Sequence, residues 1–240
     1  MRSCTALLVA GAVLPAALSA QTAKGCSLPA VSPIFNAANF SRPTVINNRH
    51  FPLVPGTTFV YESTRGKREH VEVVVTHDIK SILRVDCVVV RDTVSVGGEV
   101  VEDTFDFFAQ DKDGNVWYMG EDTREFKKGL QVWTAGSWEA GANGATPGVI
   151  MEAHPLVRDA YRQENLPGEA EDMAQVLSLT ASASVPYGSW EGNVLVTREC
   201  TPLEPKVAEE KYYALDVGLI RTVTVQGGSA ESVLVAISQQ

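Results

Sequence analysis

Four acids crowd a short stretch late in the chain: Glu164, Glu169, Glu171 and Asp172. Carboxylates at this density suit two kinds of chemistry. Glu169, Glu171 and Asp172 offer hard oxygen ligands of the type calcium takes. Alternatively, crowding and burial hold one carboxyl protonated for general acid–base work. In that second case Glu164 or Glu171 carries the proton, Tyr212 is a further proton donor, and Arg162 neutralises an acidic sugar substrate. A run of charge is more often a solvated polar face, so the stretch alone assigns neither a metal nor a cofactor.

Aromatic residues beside acids form the other set. Trp117 and Trp133 lie in sequence near Glu121, Asp122 and Glu139, with Tyr118, Trp138 and Trp190 close to glycine-rich turns. Ring faces beside carboxylates are what a glycan or other polyhydroxylated ligand needs, stacking plus oriented hydrogen bonds. Tryptophans in β proteins more commonly fill the core, and both uses remain open on sequence.

Motifs with a stronger mechanism are missing. Gly188-Ser189-Trp190-Glu191-Gly192 has its serine one place early for a nucleophile elbow. No phosphate loop, dinucleotide fingerprint or zinc-protease helix is present, and His50, His70, His77 and His154 are scattered singly. Asp111, Asp113 and Asn115 alternate like a calcium loop, but Val116 stands where that loop needs glycine, so the segment reads as a hairpin turn.

The elements that must carry these residues are strands. From Thr57 onward, short β-rich runs alternate with turn clusters, and His70 to Thr76 shows strict period two with Val71, Val73 and Val75 on one face. Cys87-Val88-Val89-Val90 is an unbroken apolar run, as in a strand covered on both faces. Val101 to Gln110 separates Phe105, Phe107 and Ala109 from Glu102, Thr104 and Asp106. Residues 136–168, with five glycines and three prolines, read as long ordered loops. Glu169 to Leu177 fits helical spacing, and a strand almost as well. The class is all-β: a single antiparallel meander of about ten strands curling into an open barrel or sandwich, with at most one short helix.

Arg2, the apolar run Ala6 to Leu14 and the small residues up to Ala20 follow the order of a secretory signal peptide, too short to span a bilayer. Lys24 stands where a lipoprotein signal ahead of Cys26 wants a small or aliphatic residue. The domain plan is therefore a leader over 1–20, a poorly structured lead-in over 21–50, and one β-rich domain over 51–240. Cleavage near Ala20 places the product in the periplasm or the medium. The formal charge of −9 becomes −10 without the leader, which excludes non-specific attraction to nucleic acid or anionic lipid. Cys26, Cys87 and Cys200 are left, enough for one disulfide and a spare thiol or for no disulfide. Cys87 falls in register with Leu83, Val85 and Val89 as a small buried hydrophobe, while a Cys87–Cys200 bridge is also compatible with the pattern.

Phe51-Pro52-Leu53-Val54-Pro55-Gly56-Thr57, Ala109-Gln110-Asp111 through Asn115-Val116-Trp117-Tyr118, Gly120-Glu121-Asp122, Tyr161-Arg162-Gln163-Glu164, Gly168-Glu169-Ala170-Glu171-Asp172-Met173, and Lys211-Tyr212-Tyr213-Ala214 with Gly218-Leu219 resemble a family of uncharacterised secreted bacterial β-rich proteins. The resemblance spans roughly residues 50–235. It implies a bacterial, exported, single β domain and assigns no residue a role. The reading that results is an exported, non-catalytic binding or envelope-associated domain for a glycan or other small ligand. The alternative is a secreted glycan-active lyase or hydrolase built on carboxylate and tyrosine acid–base chemistry. Intact-mass measurement of protein exported from a bacterial host is expected to find the N-terminus at or within a few residues of Gln21; retention of residues 1–20 would contradict the leader.

Overall fold

A computed structural model describes residues 26–240, apart from 27, 29, 32, 134 and 135. The leader and its cleavage point lie outside the described residues. The β-rich runs become β1 (Thr57–Arg65), β2 (His70–Ile82), β3 (Val85–Val96), β4 (Glu99–Gln110), β5 (Val116–Lys127), β6 (Leu130–Trp133) and β7 (Trp138–Glu139). They continue as β8 (Gly148–Met151), β9 (Ala160–Arg162), β10 (Met173–Val185), β11 (Gly188–Cys200), β12 (Ala208–Ala214), β13 (Gly218–Gln226) and β14 (Glu231–Gln239). One 3-10 turn, Ala37–Asn39, is the helical element among the described residues. None of their helices is long and apolar enough to cross a membrane.

The expected all-β meander is present, with more strands than the sequence suggests because β7, β8 and β9 arise inside the stretch read as loops. Two local readings change. Leu83 and Arg84, taken as the start of a strand, form the β2–β3 turn with φ of 49° and 66°. Glu169 to Leu177 is not helical: a turn closed by the Leu166↔Ala170 bridge leads into β10, where Met173, Ala174 and Val176 are buried. β10 has a partner on each side, β9 and β11, so its backbone polar groups are met by ladders that a short helix here would forgo.

All strands belong to one sheet, ordered β6-β5-β4-β3-β2-β1-β14-β13-β12-β11-β10-β9, with β7 and β8 both pairing on β5. Every step of that path joins consecutive strands except β1 to β14. Antiparallel strands twist, and here the sheet curls until its ends approach. Gly148 of β8 lies against the chain after β9 so tightly that a Cβ would collide with the Gln163 carbonyl. The ends touch without sharing a ladder, so the sheet is an open barrel. Phe51 fills the lower part of the interior, 5.4 Å from the Phe108 ring and 6.4 Å from the Tyr213 ring, and so links walls that are distant along the sheet.

Residues before Phe51, expected to be poorly structured, are knitted to the sheet over Phe35 to His50. Ile46 is buried, its carbonyl accepts from Leu53 N–H, and Asn48 Nδ2 donates to the Gly114 and Glu152 carbonyls. Further back, Cys26 forms a disulfide with Cys200 across 174 residues of sequence. That pairing replaces the Cys87–Cys200 alternative. Cys87 is a free, fully buried thiol, pushed up to about 12 chiefly by burial. Cys87 is therefore expected to react with a thiol reagent only after denaturation, and non-reducing peptide mapping should recover Cys26 joined to Cys200. Closing so long a loop restricts the unfolded chain, so Cys26→Ser should lower stability by about 2–5 kcal/mol in denaturant titrations.

Candidate functional site

In an antiparallel sheet, residues opposite one another share a face and alternate residues return to it. Phe108 pairs with Tyr118 and Val88, Asp106 with Glu121 and Val90, and Thr104 with Thr123 and Asp92. These rows form one face. The opposite wall follows the same rule, with Tyr213 opposite Leu195, Lys211 opposite Thr197, and Glu209 opposite Glu199. Since Phe51 packs on both Phe108 and Tyr213, the two sets face each other across the concavity. The lower rows are apolar and the upper rows are acidic.

Carboxylates converge there from both walls. Asp92, Asp106 and Glu121 come from β3, β4 and β5, Glu164 follows β9, Asp172 precedes β10, and Glu199 and Glu209 stand on β11 and β12. Lys211 faces them, its Nζ 2.7 Å from Glu199 Oε2. Thr197 Oγ1 and the Tyr213 hydroxyl both donate to Glu199 Oε1, at 2.8 and 3.1 Å. On the other wall the Tyr118 hydroxyl donates to Asp106 Oδ1 at 2.5 Å, and Thr123 Oγ1 donates to Glu121 Oε2 at 3.1 Å. Asp92 Oδ1 is shielded from solvent and has no partner among the described residues.

These groups are crowded by protein while several still touch solvent, as the wall of a cleft does. Burial pushes Asp92 up to about 8, reinforced by Asp106 and Glu102. Burial and then Asp106 push Glu121 up to about 8. Asp106 rises less, to about 6, because the Tyr118 hydroxyl and Lys211 favour its charged form. Glu164 is driven well above the carboxylate range by burial, then by Asp172 and Glu121. For Asp172 burial outweighs the pull of Lys211. Burial works against the charge on Lys211, but Glu199, Glu209 and Asp172 together raise its pKa. Several carboxyls of the concavity therefore favour their protonated form near neutral pH.

The residues singled out from sequence separate. Glu164 and Asp172 enter the concavity. Glu171 is occupied in a turn, its Oε1 accepting from Gly168 N–H at 2.6 Å, and Glu169 is exposed beside it. Arg162 alternates with the inward Tyr161 on β9, and so projects from the other face. Tyr212 lies on the convex face beneath the Arg221 guanidinium and donates to Glu210. Asp122 pairs with Arg124 and Glu139 with Lys80, each at 2.7 Å. Trp117 is buried under the edges of Phe35 and Phe40, with its Nε1 donating to Asp111 Oδ2 at 2.8 Å, so it anchors the lead-in. Trp133 is described only as part of β6, opposite Glu125.

The calcium alternative fares no better. Glu169, Glu171 and Asp172 do not converge, and no group of three metal-binding side chains does so among the described residues. The Asp111 carboxylate is filled from within the turn, accepting from Asp113 N–H, Asn115 N–H, Asn115 Nδ2 and Trp117 Nε1. Sequence reading missed Asp92, Asp106, Glu199, Glu209 and Lys211, while Glu121 was among the acids it set beside the aromatic rings. A signal did exist, since Asp92 continues the row of Val88 and Val90.

A carboxyl whose folded pKa is raised takes up a proton on folding, so its cost is absent below the unfolded value, grows as pH rises from there to the folded value, and is constant above it. For Asp92, Asp106 and Glu121 that window runs from the ordinary carboxylate range up to about 8. The thermal midpoint is expected to fall as pH is raised from about 5 to about 8, and the fall should shrink in Asp92→Asn and Glu121→Gln. A midpoint that is flat over this range, or equally steep in both variants, would contradict the assignment.

No family model matches the chain, and no curated protein does. Among solved structures, two are similar to it at low identity. One is a Bacteroides fragilis protein with a YmcC-like fold, described as exported: it is 14% identical, with a TM-score of 0.44, over 80% of this chain and 100% of that one. The other is a Parabacteroides distasonis protein described as a lipoprotein: it is 12% identical, with a TM-score of 0.37, over 80% of this chain and 99% of that one.

Proposed function

We propose that this chain is an exported, non-catalytic binding domain whose acidic concavity takes up an extended, amine-bearing ligand, with an amino-sugar glycan as the form that fits best. The observation that carries this reading is the charge balance. Carboxylates from both walls face one lysine, and they are spread along several strands instead of gathered at a point. A point metal needs convergent ligands, whereas a chain with repeated positive charges matches a spread. Threonine and tyrosine hydroxyls on the same face suit a partner that also carries hydroxyls. The leader-like N-terminus supports export.

The glycan-active enzyme has less support. Of Glu164, Glu171, Tyr212 and Arg162, only Glu164 stands in the concavity, and catalysis needs its groups within hydrogen-bond reach of one substrate.

Calorimetry with oligomers of glucosamine and of N-acetylglucosamine tests the proposal. The charged oligomers are expected to bind, more weakly as salt rises, and the acetylated ones to bind at least about tenfold more weakly. Asp106→Asn combined with Glu121→Gln should reduce binding of the charged form. Equal binding of both oligomers, or none of either, would overturn the cationic reading.

A further inference from the structure

A separate cavity of about 440 Å³ lies where β8 and β9 meet, lined by Trp117, Glu152, Arg158 and Asp159 and by Val31 and Pro33 of the lead-in. The lead-in is held there by two backbone bonds, Val31 N–H to the Ala160 carbonyl at 3.0 Å and Arg162 N–H to the Val31 carbonyl at 3.2 Å. Three observations set the cavity apart from an incidental gap.

Its charges of opposite sign do not satisfy each other. Glu152 Oε2 is shielded from solvent and has no hydrogen-bond partner among the described residues. Asp159 stands beside it, one oxygen accepting from Leu156 N–H at 2.7 Å. Arg158 lines the same space with its side chain open to solvent, and among the described residues no carboxylate lies within ion-pair distance of its guanidinium. Unpaired groups of opposite sign on one cavity wall complement a ligand that carries both charges.

Arg158 is also held in a costly conformation. Its φ of 83° is left-handed, which a residue with a Cβ adopts at the expense of stability. The strain is maintained from both sides, since Arg158 N–H donates to the Val176 carbonyl at 2.8 Å and Val176 N–H donates to the Asp159 carbonyl at 2.9 Å. The backbone of Glu152 is fixed as well, its carbonyl accepting from Asn48 Nδ2 at 3.0 Å. The carboxyl pair and the guanidinium are thus presented from braced backbone.

We propose that this cavity is a second binding site, for a small zwitterion of amino-acid to dipeptide size, with its ammonium on the Glu152–Asp159 pair and its carboxylate on Arg158. An ammonium is the group that satisfies two adjacent carboxyls, one with a spare oxygen. A carboxylate is the planar partner of a free guanidinium. The volume falls within the range of small-molecule pockets and leaves room for a short chain between the charges. The site is independent of the acidic concavity, because none of its charged residues belongs to that face.

Burial, with Asp159 adding to it, pushes Glu152 up to about 7. Arg158, Asp159 and Tyr161 are the other titratable groups lining the cavity. An arriving ammonium replaces the proton on Glu152, so binding near neutral pH releases protons to the buffer.

Calorimetry with glycine, β-alanine, 4-aminobutyrate and alanyl-alanine, alongside butylamine and butyrate as one-ended controls, tests the site on the processed protein. At least one zwitterion is expected to bind, about tenfold or more tightly than either control. Its enthalpy should depend on the ionisation enthalpy of the buffer at pH 7. Glu152→Gln keeps the shape of the side chain, and Arg158→Gly suits the backbone angle, so both should retain the native circular dichroism while weakening binding at least about tenfold. The proposal is overturned by absence of binding for all four zwitterions up to about 10 mM, by butylamine or butyrate binding as well as they do, or by affinity unchanged in both variants.

Discussion

The ladder between β1 and β14, running from Thr57 opposite Gln239 to Arg65 opposite Glu231, is the one non-consecutive step in the path of the sheet. Without it the chain would be two meanders, β1 to β6 and β9 to β14, each with a free edge. With it they are one surface that curls, and Asp106 on β4 comes to share a space with Lys211 on β12. The electrostatics of the concavity depend on a backbone pairing that touches none of its charged groups.

Lys211 occupies a consequential place on that surface. Removing one member of a buried ion pair costs more than the pair contributes, because the other charge is left unpaired in a poor solvent. Here Glu199 would be left with Thr197 and Tyr213 as donors and no cation. On the convex face, by contrast, cations are plentiful and lie over rings: Lys80 on Phe107, Arg91 and Arg124 on Phe105, and Arg221 on Tyr212. Each of those cations is also paired with a carboxylate on its own face, Lys80 with Glu139, Arg91 with Asp103, Arg124 with Asp122 and Arg221 with Glu231, whereas Lys211 faces a surplus of carboxyls in the interior.

The strands were legible in the sequence wherever alternation was strict, as in His70 to Thr76, and the meander followed from the turns between them. What alternation does not encode is which face is concave. In β4 it separates Phe105 and Phe107 from Glu102, Thr104 and Asp106, and ordinary expectation sends acids outward. The curl does the reverse: Phe107 is 4% exposed on the convex side, covered by Lys80, and Asp106 faces inward. The site escaped a local reading for the same reason, since Asp92, Glu121, Glu199 and Lys211 are far apart in sequence and meet only through the β1–β14 ladder. Spacing also misled at Ala170, Met173, Ala174 and Leu177, where helical periodicity coexists with a strand that has ladders on both sides. Glu152 and Asp159 sit among glycines and prolines that hid β8 and β9, so their proximity had no periodic signal to reveal it.

The Cys26–Cys200 bond bears on the order in which the molecule is assembled. It closes a covalent ring that contains β1 through β11, leaving β12, β13 and β14 as a tail outside it. β14 emerges from the ribosome after every other strand, yet it supplies the edge that β1 awaits, and pairing of such distant segments is the slow, entropy-limited step of β folding. A ring that ties the lead-in ahead of β1 to the end of β11 shortens the search, because it limits how far apart the edges that the tail must bridge can stray. Oxidation would thereby bear on the pace at which the two walls of the concavity meet, while the identity of their final neighbours stays with the hydrogen-bond register.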